Sequence, residues 1–143
     1  KLTMCGQAID IGLVDCPAYI FAAKEDHIVP WRTAYASAKY LNGQSQFVLG
    51  ASGHIAGVIN SVAKNKRSYW INENTNPHEH SADDFLKDAT EHAGSWWPNW
   101  AAWLESHAGR AIPARTALGN AQFKIIEAAP GRYVKEKAPE VVS

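Results

Sequence analysis

Two short apolar runs constrain the fold of this chain more than any other feature. The first covers residues 18–23, Ala-Tyr-Ile-Phe-Ala-Ala. The second is Phe47-Val48-Leu49, which forms the end of a strand predicted over residues 46–49. A continuous apolar run is typical of a parallel strand that is covered on both faces. Each run leads into a loop that carries one candidate catalytic residue, Asp26 within Lys24-Glu25-Asp26-His27 after the first run and His54 after the second. The sequence therefore predicts two neighbouring strands that deliver an acid and a histidine to one edge of a sheet.

The segment between the two runs is long enough for one crossover helix, since Asp26 and His54 are 28 positions apart. Pro30 suits the first turn of a helix, because the N–H that proline lacks would have no intrahelical partner there. The predicted helix covers residues 31–41, and its apolar stripe consists of Trp31, Ala34, Tyr35, Ala38 and Leu41. Gly43 is expected to close the helix in the left-handed conformation.

An acid followed by a histidine is the order of the last two members of a nucleophile–acid–histidine triad in an α/β-hydrolase fold. In this interpretation His54 is the general base, and Asp26 holds it in one tautomer and stabilises its charged form. The alternative for Asp26 is that it caps the helix at Pro30 or ends a strand. The alternative for His54 is a structural role between Gly53 and Gly57, which let the backbone turn sharply. The spacing of the pair favours the triad.

Three other reactive side chains are assigned supporting roles. His27 directly follows Asp26, and neighbours on an extended loop point apart, so His27 is predicted to be a wall or support residue. Neither Cys5 nor Cys16 lies in a Gly-x-Cys-x-Gly elbow, and both precede the acid by too little chain for an elbow and its helix. We expect both cysteines to pack in the interior. The nucleophile is therefore expected upstream of this chain.

The predicted fold class is α/β, and residues 1–143 are expected to be one part of a larger domain. The two runs are the only convincing core strands in the sequence, and two strands do not make an independently stable sheet. The chain also begins at Lys1 in the middle of a pattern. We therefore expect the final parallel strands and crossover helices of an α/β-hydrolase fold, incomplete without an upstream segment.

The remaining segments are shorter or more polar. Residues 2–11 predict a small hairpin around Gly6, and Ser81 is a cap candidate for a helix that runs to about His92. A further helix covers about residues 98–107, and we expect it to make a core or subunit contact through Trp96, Trp100 and Trp103.

Beyond Gly109 the chain has little periodicity, and residues 135–143 are expected to form a frayed tail.

Two polar clusters are interpreted as solvated loops. His78-Glu79-His80 alternates like half of a metal site, but nothing nearby completes it, so no metal is predicted. Lys64, Lys66 and Arg67 could face an anionic group such as a nucleotide phosphate, although a charge run in a loop is usually solvated.

The composition argues against several classes of partner. The formal net charge is zero, from 14 basic and 14 acidic residues, so no long-range field favours nucleic acid or an anionic membrane. A hydrophobic fraction of 46% suits a packed core. No apolar run approaches the roughly 18 residues of a membrane span. Two cysteines do not make a disulfide framework, which fits a reducing cytoplasmic compartment.

Taken together, these motifs make the chain resemble the C-terminal part of the class I poly(3-hydroxyalkanoate) synthases, which make bacterial polyester from hydroxyacyl-CoA. The matching pieces occur in the family's order over nearly the whole chain: residues 1–6, Glu25-Asp26-His27-Ile28-Val29-Pro30-Trp31, residues 47–60 with Gly50-Ala51-Ser52-Gly53-His54-Ile55-Ala56-Gly57, residues 64–70, Gly94-Ser95-Trp96-Trp97-Pro98, and residues 130–134.

The resemblance implies a cysteine nucleophile, an aspartate and a histidine on an α/β-hydrolase core. The aspartate corresponds to Asp26 and the histidine to His54, and the cysteine lies upstream of Lys1. His54 would deprotonate the cysteine, which then attacks the acyl-CoA thioester and releases CoA. Asp26 would orient His54 or help to activate the 3-hydroxyl of the incoming acyl unit.

The resemblance further implies an acyltransferase that polymerises (R)-3-hydroxyacyl-CoA, with the CoA thioester as substrate and no cofactor. Family members are expected to be homodimers at the surface of polyester granules in the cytoplasm, and this chain alone would be inactive. Two alternatives stay open. One is a related esterase or polyester depolymerase, and the other is a non-catalytic granule-binding or dimerisation piece that uses the tryptophan helix.

Overall fold

The described part of the chain begins with the small hairpin that the sequence predicts. The computed structural model describes residues 2–139. Strand β1 (Thr3–Met4) pairs antiparallel with β2 (Gln7–Ala8). The turn residues Cys5 and Gly6 both have positive φ, 49° and 76°. This is the combination that a tight two-residue hairpin turn requires, and the prediction is confirmed.

A mixed sheet of four strands carries the two loops of interest. Strands β3 (Ala18–Ala23) and β4 (Ser45–Gly50) are parallel and stay in register over their full length. Strands β5 (Ser68–Ile71) and β6 (Thr90–Ala93) extend the sheet antiparallel, in the order β3-β4-β5-β6. The predicted parallel pair is confirmed. Within residues 2–139, β3 is an edge strand.

Both faces of the β3–β4 pair are covered, as the apolar runs predict. Side chains alternate between the two faces along each strand. One face carries a cluster built from Ala22, Trp31, Tyr35, Phe47, Leu49 and Phe85. The other face carries a smaller cluster built from Val48, Ile71 and Trp96, with Phe21 and Tyr19 packed against it. The sheet therefore lies between two layers of packed side chains.

The crossover helix lies where the sequence places it. Helix α1 covers Trp31–Ser37 and continues as a 3₁₀ turn over Ala38–Tyr40. The sequence predicts one helix over residues 31–41. Its predicted apolar stripe is buried or half-buried. The expected left-handed Gly43 is wrong, because its φ is not positive. A Cβ at this position would collide with the carbonyl oxygen of Cys16, so glycine is needed for close backbone approach rather than for a cap.

The helix predicted from Ser81 to about His92 is correct only in its first half. Helix α2 covers Ala82–Lys87, and Ser81 and Asp84 form a reciprocal capping box. The rest of the prediction is wrong, because Thr90–Ala93 forms β6 and pairs with β5. The edge of β5 offers backbone donors and acceptors that need partners, and this tertiary pairing outweighs local helix propensity.

Helix α3 (Trp97–Ala108) matches the helix predicted over about 98–107. Trp96 directly precedes it and is buried, so the predicted core contact is confirmed for this tryptophan. No helix within residues 2–139 is long and apolar enough to cross a membrane.

The chain divides into two units, Lys1–Gly109 and Arg110–Ser143. The described part of the second unit is irregular apart from one 3₁₀ turn, Tyr133–Lys135, which agrees with the absence of periodicity in its sequence. Of the tail predicted to fray, residues 140–143 lie outside the described residues.

Candidate functional site

The parallel pairing of β3 and β4 places their following loops side by side. The last residues of the two strands, Ala23 and Gly50, are paired in register. Beyond them the Lys24 N–H donates to the Gly50 carbonyl at 2.7 Å, and the Glu25 N–H donates to the Ser52 carbonyl at 3.0 Å. The strand ladder thus continues into the loops. Since the backbones are joined, the side chains that follow have fixed relative positions.

Asp26 and His54 meet at this edge of the sheet. Nδ1 of His54 lies 2.7 Å from Oδ2 of Asp26, the distance of a strong charge-assisted hydrogen bond. The Asp26 side chain is only 8% exposed, whereas the His54 side chain is 46% exposed. The meeting of the two side chains, which the spacing predicts, is confirmed. The pair has a buried carboxylate behind an accessible imidazole.

The second carboxylate oxygen of Asp26 is held by the backbone. Oδ1 accepts hydrogen bonds from the N–H groups of Ile28 at 2.8 Å and Val29 at 2.9 Å. The Val29 N–H is the main cause that lowers the pKa of Asp26 to about 2, and the hydrogen bonds from His54 and from Ile28 lower it further. At neutral pH Asp26 is therefore a carboxylate, and Nδ1 of His54 carries the hydrogen of the shared bond.

This arrangement also decides between the open interpretations of Asp26. The N-cap position of α1 is occupied by Pro30, so Asp26 does not cap that helix. Its carboxylate instead closes the loop that precedes Pro30 and contacts His54 with the other oxygen. One side chain thus orders the acid loop and orients the imidazole.

His54 lies in a compact turn over residues 53–59, here called the His54 turn. The Gly57 N–H donates to the Gly53 carbonyl at 2.8 Å, and the Ile59 N–H donates to the Ile55 carbonyl at 2.9 Å. The backbone turns sharply between Gly53 and Gly57, as the sequence suggests, but neither glycine has a positive φ, and the positive φ of 76° belongs to Ser52. Gly57 is needed for packing, since a Cβ there would lie 2.7 Å from Cβ of Ala23.

Side chains from later in the chain hold the carbonyls of the His54 turn. Nη1 of Arg67 donates to the Ala56 carbonyl at 2.7 Å. The indole N–H of Trp96 is shared between the carbonyls of Gly57 at 3.2 Å and Val58 at 3.3 Å, and that of Trp97 donates to Val58 at 3.0 Å. Sequence reasoning missed these supports, and the only available signal was the density of tryptophan between residues 96 and 103.

The other candidate residues lie apart from this pair or are solvated. His27 is exposed beside Asp26. Nδ1 of His80 accepts a hydrogen bond from the Asn76 N–H within its own loop. Residues 2–139 contain no group of three or more His, Cys, Asp or Glu side chains that could hold a metal ion.

Both cysteines are exposed, so their predicted packing role is wrong. Cys16 precedes β3, at the opposite end of this strand from Asp26. Six strand residues separate the two ends by about 20 Å. Cys5 lies in the turn of the β1–β2 hairpin, whose two-residue strands leave its side chain in solvent. Cys16 is thus too far from Asp26 to act with the pair.

Comparison with known proteins gives a consistent relationship, although no family model matches the chain. The poly(3-hydroxyalkanoate) polymerase subunit PhaC of Cupriavidus necator is 54% identical over 138 residues, which are 96% of this chain and 23% of that protein. The PhaC subunit of Rhizobium etli is 39% identical over 137 residues, 96% of this chain and 21% of that protein. Poly(3-hydroxyalkanoate) polymerase 1 of Ectopseudomonas oleovorans is 39% identical over 136 residues, 95% of this chain and 24% of that protein.

The chain is homologous to a segment of the poly(3-hydroxyalkanoate) polymerases. It spans less than a quarter of the length of each of the three polymerases compared above. The similarity runs over nearly the whole chain and therefore includes both the acid loop and the His54 turn. The family resemblance found in the sequence is confirmed at this level.

Proposed function

We propose that this chain is the C-terminal part of the catalytic domain of a class I poly(3-hydroxyalkanoate) synthase with an α/β-hydrolase fold. The full enzyme would polymerise (R)-3-hydroxyacyl-CoA into polyester and release CoA. The chain would supply the aspartate and histidine of a cysteine–histidine–aspartate mechanism. The observation that carries this proposal is the 2.7 Å contact between Nδ1 of His54 and Oδ2 of Asp26 at the carboxyl ends of two parallel strands.

In this mechanism His54 acts through Nε2. Because Nδ1 donates to Asp26, Nε2 is the nitrogen with a free lone pair, and no described residue donates a hydrogen bond to it. Nε2 accepts the proton of the cysteine thiol, and the thiolate attacks the thioester carbonyl of the acyl-CoA. The C–S bond to CoA breaks, and the CoA sulfur takes the proton back from Nε2. The acyl unit remains on the cysteine.

The next acyl unit attacks the bound chain through its 3-hydroxyl. A base must remove the hydroxyl proton as the oxygen bonds to the thioester carbonyl. The C–S bond to the cysteine then breaks, and the leaving cysteine sulfur takes up that proton, so the chain is transferred to the hydroxyl oxygen. Asp26 would either orient His54 for this second step or help to activate the hydroxyl. The exposure of the imidazole supports a role in direct contact with substrate, whereas the low exposure of Asp26 supports the orienting role.

The nucleophile in this proposal comes from an upstream segment of the same protein. Cys16 lies at the wrong end of β3, and the triad order places the nucleophile before the acid. The edge of β3 suits a further strand, because the apolar residues of β3 are partly buried while its outer backbone groups have no ladder partner among residues 2–139. The isolated chain would then be inactive.

A basic cavity beside the His54 turn supports a CoA thioester as substrate. The cavity has a volume of about 340 Å³ and is lined by Ile55, Ala56, Ile59, Asn60, Ser61, Lys64, Lys66 and Arg67. Three of these residues are cations, and the phosphates of CoA are anions, so the charges are complementary. No cofactor or metal takes part in the proposed chemistry. The enzyme would work as a homodimer at the surface of polyester granules in the cytoplasm.

The test compares two histidine variants in the full-length enzyme that contains this chain. His54→Ala is expected to abolish CoA release from 3-hydroxybutyryl-CoA, because no base remains for the thiol. His27→Ala is the matched control, since this neighbouring histidine is exposed and its side chain makes no hydrogen bond to Asp26 or His54. If His54→Ala released CoA as fast as the unmodified enzyme, the assignment would be rejected.

The product distinguishes the remaining alternatives. A synthase yields polymer, whereas an esterase or depolymerase uses water as acceptor and yields free hydroxyacid. Granule association of the isolated chain, together with CoA release that is unaffected by His54→Ala, would favour a binding or dimerisation piece instead.

A further inference from the structure

We infer that Trp96 is a positioning residue for His54, which it holds in place through the carbonyls of the His54 turn. This inference rests on the proposed function, because it assigns a role in the reaction that His54 would perform. It concerns a residue outside the acid–histidine pair. The contacts that carry it all lie within the first unit of the chain.

The need for such a residue follows from the geometry of the turn. Residues 53–59 form a short helical turn, and the last carbonyls of a helical segment have no partners within it. Here the carbonyls of Ala56, Gly57 and Val58 all accept side-chain donors, and only that of Val58 also accepts a backbone donor, the Asn60 N–H at 3.1 Å. Gly57 is buried, so its carbonyl depends on the indole of Trp96 rather than on water.

Trp96 is itself fixed to the strand that leads to the acid. Its ring stacks on Phe21 of β3 with a centroid distance of 4.1 Å and an interplanar angle of 21°, and the residue is 9% exposed. One ring face therefore contacts β3, and its N–H holds the loop after β4. Because β3 leads to Asp26 and the loop carries His54, the indole couples the positions of the two residues.

The packing around Gly57 leaves little room for the turn to adjust. A Cβ there would lie 2.7 Å from Cβ of Ala23 and 2.9 Å from the Ala51 carbonyl oxygen. One side of the turn is therefore pressed onto the end of β3, and its carbonyl side is held by Trp96. If the indole N–H is lost, the turn can move only away from the sheet, which draws His54 away from Asp26.

The test is Trp96→Phe in the full-length enzyme, with Trp103→Phe as the matched control. Phenylalanine keeps an aromatic ring on Phe21 but has no N–H for the Gly57 carbonyl. Trp103 also packs on the sheet, with its ring 5.5 Å from that of Tyr19, but its indole makes no hydrogen bond to the His54 turn. Both variants lose an indole from the same layer, but only Trp96→Phe removes a hydrogen bond to the His54 turn.

Trp96→Phe is expected to lower kcat for CoA release about tenfold, since small misplacements of a catalytic group are costly. The KM for 3-hydroxybutyryl-CoA should stay within about twofold, because the inferred role is in the chemical step rather than in binding. Trp103→Phe should leave both parameters near those of the unmodified enzyme. Equal kcat in the two variants would overturn the inference.

A second substitution covers the case in which Trp96→Phe does not fold. Trp97 is only half-buried and donates to the Val58 carbonyl alone, so Trp97→Phe removes one support of the turn at a less critical packing position. We expect Trp97→Phe to lower kcat in the same direction but by less. If Trp97→Phe left kcat unchanged, the inference would be overturned. Failure of the inference is distinguishable from failure of the proposed function, because in the latter case His54→Ala would itself retain CoA release.

Discussion

Substitution of Asp26 by asparagine would separate the two tasks of this carboxylate. Oδ1 of Asp26 accepts the N–H groups of Ile28 and Val29. In Asp26→Asn only the amide oxygen can take that position, because an amide nitrogen would face two donors. The amide nitrogen then occupies the place of Oδ2, 2.7 Å from Nδ1 of His54. The loop should keep its fold while the partner of His54 changes from an acceptor to a donor.

The exchange reverses the tautomer of His54. Facing an N–H donor, Nδ1 must become the acceptor, so the ring hydrogen moves to Nε2. A protonated Nε2 cannot take the proton of a thiol. The equivalent change in a nucleophile–histidine–acid triad lowers kcat by a factor on the order of 10⁴, and we expect a loss of that size here.

The assay is the initial rate of CoA release by the full-length enzyme at saturating 3-hydroxybutyryl-CoA. Asp83→Asn is a suitable control, because it also removes one carboxylate but one that is exposed and paired with Arg32 at the surface. Surface ion pairs of this kind contribute little, so activity should be unchanged. A wrong tautomer is expected to lower kcat by a factor on the order of 10⁴. If Asp26→Asn lowered kcat by less than about tenfold, the orienting role of Asp26 and the tautomer argument would be refuted.

Two further predictions concern stability. Because the pKa of Asp26 is lowered to about 2 in the folded state, its contribution to stability is present above the unfolded value of 3.8 and is lost as the pH falls through about 2. The difference in unfolding midpoint between the unmodified protein and Asp26→Asn should therefore be constant from pH 7 to about 5 and shrink below about pH 4; a difference that grows on acidification would contradict it. Phe85→Ala should lower the free energy of unfolding by about 3–5 kcal/mol in urea titrations, because Phe85 is 1% exposed and packs edge-on against Phe47. A loss below about 1 kcal/mol would mean that this cluster does not behave as a packed core.

Local sequence signals predicted much of the fold. The apolar run over residues 18–23 specified a strand covered on both faces, and the spacing of Trp31 and Tyr35 specified the buried side of α1. Ser81 marked the start of α2. These elements were predictable because period, burial and caps are all encoded within a few residues of one another.

The errors arose where a distant partner decided the local structure. Residues 90–93 became a strand because β5 offered an edge to pair with, and no local signal records that edge. Gly43 is a glycine because the Cys16 carbonyl passes close to it, although the two residues are 27 positions apart (43 − 16). Neither contact could be read from residue spacing.

For the candidate site, the sequence by itself determined which acid and which histidine end the two strands, because chain order and strand length place both at the same sheet edge. Only the tertiary structure decided which oxygen of Asp26 contacts the imidazole and which side chains hold the His54 turn. Those outcomes depend on hydrogen-bond directions between segments such as Gly57 and Trp96, which are 39 positions apart. Such directions are set when the segments pack together, so they exist only in the folded chain.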